Sequence, residues 1–68
     1  MRILLQQIGN RLKALRQERG LSVAEVRTVT GIAVAKIELG EKDIQVDVLA
    51  VLCDYYGTTL SSFFREIE

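Results

Sequence analysis

Apolar residues recur at Leu5, Ile8, Leu12 and Leu15, three or four positions apart. That spacing lines one face of a helix and predicts a first helix from about Leu4 to Arg19. Gly20 reads as its C-terminal cap, with Arg16 and Arg19 near the negative end of the helix dipole. Ser22 and Glu25 stand at capping-box spacing, so a second helix starts there. It runs to about Thr30 and stops at Gly31, a residue free to take the left-handed conformation of a tight turn. A third helix is predicted over about Ala33–Leu39, with Val34 and Ile37 facing inward and Gly40 closing it. So short a helix is not stable alone and must be held by packing. Lys42–Asp43 begins a polar connection. Val46, Leu49, Ala50, Leu52, Cys53 and Tyr56 then make a helical stripe closed by Gly57. Thr58 or Thr59 opens a last helix that packs through Leu60, Phe63 and Phe64. Ile44–Val46–Val48 alternates like a strand, but the longer helical pattern overrides it. The prediction is a compact all-α chain of five short helices.

Sixty-eight residues make one domain at most, taken here as 1–68. A chain of that size buries only about 60% of its unfolded surface, so its core is small. The apolar share of 49% and the absence of proline argue for a folded, helix-rich chain. A single cysteine excludes an internal disulfide framework, and without histidine a zinc site has too few soft ligands. No metal and no cofactor are therefore expected. The apolar start Met1–Arg2–Ile3–Leu4–Leu5 is too short to cross a bilayer or to form a signal core, which points to the cytoplasm and to no membrane partner.

Catalysis is not expected. All five glycines read as caps or turns, so there is no glycine-rich phosphate loop. Without histidine, acid–base work would fall to carboxylates, lysine, tyrosine or the one thiol. Glu38, Glu41 and Asp43 cluster, but as a helix end and its connection. Cys53, on an apolar stripe, reads as a buried small hydrophobe with nothing nearby to lower its pKa. Tyr55, Tyr56, Phe63 and Phe64 gather all the aromatics at the C-terminal end. Tyr56 and at least one phenylalanine read as core. The others, with Ile3–Leu4–Leu5, are a candidate dimer surface.

Formal net charge is zero, yet charge is segregated. Residues 1–36 carry seven basic and two acidic side chains, a balance of +5, and residues 37–68 carry two basic and seven acidic, a balance of −5. A chain so polarised can turn a basic face to phosphate, or pair head to tail with itself.

Leu21–Val26, then Thr30–Gly31–Ile32, then Lys36–Lys42 is laid out as helix, tight turn, helix, the layout of a small DNA-binding module. Around it stand Ile8–Gly9–Asn10–Arg11–Leu12–Lys13–Ala14–Leu15–Arg16, Gly20–Leu21–Ser22, Leu49–Ala50–Val51–Leu52–Cys53, Gly57–Thr58–Thr59–Leu60 and Phe63–Phe64. In order and spacing these pieces resemble the Cro/repressor-type, or xenobiotic-response-element, helix-turn-helix family, from about Ile8 to Phe64. The resemblance implies a five-helix, lambda-repressor-like domain, commonly a homodimer, that binds double-stranded operator DNA and regulates transcription. It also implies a salt bridge between Arg16 and Glu38 that ties the first helix to the third.

The chain departs from that family in three places. The family has about three more residues between the turn glycine and the isoleucine–glutamate pair, and those residues include its base-reading side chains. Here only Ala33, Val34 and Ala35 precede Lys36. Val23 stands where the family often has a phosphate-touching glutamine. Arg27 stands where a small alanine lets the two helices cross closely, so its bulk should open or shift that crossing. The candidate DNA contacts are Arg11, Ser22, Val23, Arg27, Ala33, Val34, Ala35, Lys36 and Lys42, with Lys13 and Arg19 as further phosphate partners. Direct readout needs donors and acceptors at base edges, and alanine and valine offer only methyl contacts to thymine. Binding is therefore expected to rest on backbone contacts and shape. The competing reading keeps the fold and makes it a protein-interaction module, joined through the apolar Val23–Ala33–Val34–Ala35 surface or the aromatic C-terminus.

Overall fold

The computed structural model describes residues 2–67, the side chains of Arg2 and Ile3 excepted. The share of an N-terminal apolar patch expected from Ile3 lies outside the described residues. Five helices follow one another: α1 (Arg2–Glu18), α2 (Val23–Thr30), α3 (Ala35–Glu38), α4 (Val46–Tyr55) and α5 (Leu60–Ile67). Among the described residues there is no strand.

The stripe on α1 does what its spacing dictates. Ile8, Leu12 and Leu15 are buried and meet Val26 of α2, Ile37 of α3, Leu49, Leu52 and Cys53 of α4 and Phe63 of α5 in one core. Val34 and Tyr56 complete it from just outside their helices. Cys53 is packed there as a small hydrophobe, and burial pushes its thiol pKa up. Thr59 caps the last helix, its Oγ1 accepting the Ser62 N–H at 3.1 Å. Phe63 points inward, while Phe64 meets it edge-on and stays 43% exposed.

Three expectations are corrected. The third helix is a single turn, Ala35–Glu38, rather than Ala33–Leu39. Ala33 and Val34 belong to the non-helical connection after Gly31, and Leu39 is already past the helix, 61% exposed. Val46 is 71% exposed because it is the first residue of α4; Val48, two positions on, packs against the core instead. Gly9 is neither cap nor turn. It lies in mid-helix on α1, where an added Cβ would press on the carbonyl oxygens of Ile37 and Glu38, the latter at 2.6 Å. The missing side chain is what lets α3 lie against α1.

Candidate nucleic-acid interface

The second helix is fixed at both ends by local chemistry. Ser22 Oγ accepts the Glu25 N–H at 3.1 Å, and the Glu25 carboxylate accepts the Ser22 N–H at 2.8 Å. The box satisfies donors that would otherwise be orphaned at the helix start. At the other end Gly31 takes φ +75° and donates its N–H to the Arg27 carbonyl at 2.8 Å. That conformation is steeply disfavoured for a residue with a Cβ. Thr30 Oγ1 accepts the Ile32 N–H at 3.1 Å and so ties down the turn.

The third helix owes its place to α1 and not to α2, with which it makes few contacts. Arg16 holds it. Its Nε donates to Glu38 Oε2 at 2.7 Å and its Nη2 to Oε1 at 2.9 Å, a two-pronged pair. The remaining Nη1 donates to the Leu21 carbonyl at 2.8 Å, just before α2. One guanidinium therefore links α1, the entry to α2 and the end of α3. The bond to Glu38 raises the Arg16 pKa, against the opposing effect of burial. Two-pronged geometry of this kind fixes orientation as well as charge.

Around this frame the structure gathers some of the candidate contacts and disperses others. Arg27, Ala33, Ala35, Lys36 and Lys42 are exposed along α2, the turn, α3 and the connection to α4. Val23 is half-buried and packs on the core, and Ser22 is engaged in its cap. Val34 is corrected to a packing residue. It is fully buried at 0% exposure, so its side chain reaches no ligand. Arg27 points to solvent, and the α2–α3 crossing it was expected to open is one where the helices scarcely touch. Arg11 lies elsewhere, in a cleft with Gln7, Asn10, Ala14, Glu66 and Ile67 between α1 and α5, its Nε buried without a hydrogen-bond partner.

Sequence reading missed a groove beside the turn. Ile32, Ala33, Ile37, Ile44 and Val48 floor a hollow of about 460 Å³, with Lys42, Asp43 and Gln45 also lining it. The only signal for it was the alternation of Ile44, Val46 and Val48, which places the first and third inward and the second outward. Among the described residues no group of side chains has the makings of a metal site, and no helix is long and apolar enough to cross a membrane.

Two short helices about a tight turn, the second braced on α1 by an arginine–glutamate pair, define a helix-turn-helix. The helix-turn-helix domain family matches residues 7–61, and the chain belongs to that family. It is 38% identical over 63 residues to the HTH-type transcriptional regulator PuuR of Escherichia coli K12, and equally so to PuuR of Shigella flexneri. Those matches take in 88% of this chain and 34% of each regulator, so the chain spans about a third of the length of these curated relatives. Among solved structures it resembles the DNA-binding domain of S. venezulae BldD, with a TM-score of 0.76 and 30% identity over 87% of this chain and 93% of that one.

Proposed function

We propose that this chain is the DNA-binding part of a transcriptional regulator and that it engages duplex DNA as a homodimer through α2, the turn and α3. The observation that carries the proposal is the exposure of Arg27 on α2, Lys36 on α3 and Lys42 on the connection to α4, about a turn closed by Gly31 and with α3 tied to α1 by the Arg16–Glu38 pair. The cations contact phosphates, and the short α3 is offered to the major groove. A two-fold dimer presents two such units to paired half-sites. The reading is one of binding without catalysis, in the cytoplasm.

Titration with random-sequence duplex DNA at low and moderate salt tests this. A phosphate clamp releases counterions, so affinity should fall steeply as salt rises. Salt-independent binding contradicts the clamp. Sedimentation of the chain alone and with DNA tests the dimer. One observation favours a second reading, a protein-interaction module. Asp43 lines the same hollow as Lys42, Gly31 and Ala33, and the exposed Glu41 precedes Lys42 in the chain, so carboxylates stand with the cations beside the turn. Absence of DNA binding at low salt supports that reading.

A further inference from the structure

Resting on the homodimer reading, we propose that a second copy of this chain docks on the cleft between α1 and α5, with Arg11 of each copy meeting Glu66 of the other. The cleft, about 300 Å³, holds both residues in its lining. Arg11 comes from the basic half of the chain and Glu66 from the acidic half, and folding brings them to one surface. Even so, the two form no ion pair with each other; among the described residues the ion pair is Arg16–Glu38. The Arg11 Nε is buried without a hydrogen-bond partner, and Glu66 is exposed. A cation and an anion thus share one cleft without satisfying each other.

That arrangement suits the chain's own copy. In a two-fold dimer every contact occurs twice, so the surface must complement itself. A cleft with one sign of charge repels its own copy. A cleft that carries both signs, unpaired, is answered by the same cleft turned about the two-fold axis. The rest of the lining permits close approach. Gln7, Asn10, Arg11 and Ala14 recur at three- and four-residue spacing and so lie along one side of α1. Ala14 keeps that side low, and Ile67 adds apolar surface from α5. The Gln7 and Asn10 amides both donate and accept, so they too can pair with their own copies. The cleft shares no lining residue with the hollow beside the turn and uses none of Arg27, Lys36 and Lys42, so pairing there leaves those cations to the DNA.

Sedimentation equilibrium of the 68-residue chain at low salt, up to about 1 mM, reads the association. The parent chain should dimerise. Arg11→Glu and Glu66→Arg each place like charges in both contacts, so each should weaken dimerisation about ten-fold or more, with unchanged circular dichroism. An equimolar mixture of the two variants should dimerise again, because in the mixed pair both contacts join opposite signs. Mixing cannot repair a contact made within one chain, so this rescue assigns the pair to the interface. Glu66 is exposed, so Glu66→Arg keeps the fold and decides the matter alone if Arg11→Glu does not fold. A parent dimer that Glu66→Arg leaves intact, or two folded variants that do not recombine, overturns this interface while the homodimer reading stands. A parent chain that stays monomeric throughout that range, free and on duplex DNA, overturns the homodimer reading and the interface with it.

Discussion

Arg16 and Glu38 carry the largest share of the local organisation. Their side chains are only 11% and 6% exposed, so each charge has given up most of its water and depends on the other. Removing one partner strands the other. Glu38→Ala should therefore cost about 3–5 kcal/mol in urea unfolding, whereas replacing both residues by methionine and leucine should cost clearly less. A loss under about 1 kcal/mol for the single variant would place the pair with ordinary surface bridges. Tyr56 poses a related question with the opposite answer. Its ring is fully buried and its hydroxyl has no hydrogen-bond partner. Burial first, and the Glu38 charge second, push its pKa from 10.0 up to about 12, with Arg16 opposing. A phenol whose pKa is raised in the fold stabilises the protein fully below the unfolded value and loses that contribution as pH rises through the folded one. Stability should thus decline between about pH 10 and 12. Tyr56→Phe should flatten that decline and cost little at neutral pH, since no hydrogen bond is lost; unfolding curves at both pH values check this.

Elements whose limits are set by neighbouring residues were legible in the sequence. The Ser22–Glu25 box and Gly31 mark α2 to within a residue, and the Leu5–Leu15 stripe marks α1 as the helix facing the core. The third helix was not legible to the same degree, because nothing local decides its length. Ala33 and Leu39 have no propensity against helix, yet only Ala35–Glu38 is helical. Its place is settled by distant groups, Arg16 and Gly9, and a mid-helix glycine shows its purpose only when the approaching backbone is known. The same argument gives a prediction. Gly9→Ala improves the intrinsic helix propensity of α1 by about 1 kcal/mol, so in an isolated helix it would stabilise. In the folded chain its Cβ meets backbone oxygens that have no freedom to turn aside. The variant should be destabilised by about 1–3 kcal/mol, the range of overpacked sites, with α3 displaced from α1. Thermal unfolding reads the loss. A neutral or stabilised variant would mean that α3 is held more loosely than the geometry shows.

At the scale of the whole molecule, the linear separation of charge does not survive folding. The basic half of the chain contains the turn, but the acidic half returns beside it: Asp43 lines the groove with Gly31 and Ala33, and Glu41 joins Asp43 along the neighbouring hollow by Leu39. The sequence could suggest a basic face because it shows charge along the chain and not across it. Arg11 was drawn into that face for the same reason, and the structure places it beside Glu66 of α5. The consequence for DNA binding is measurable. Two carboxylates about 8 Å from a phosphate each oppose binding by roughly 0.5 kcal/mol in water, so together they weaken it about five-fold. Glu41→Gln combined with Asp43→Asn should raise affinity for random-sequence duplex DNA by about that factor at low salt. The advantage should shrink as the screening length falls from about 10 Å at 0.1 M salt towards 3 Å at 1 M. Both positions are exposed, so the fold should be unaffected. If the double variant binds no more tightly at low salt, these carboxylates do not face the phosphates, and the α2–turn–α3 surface docks in another orientation or on another kind of partner.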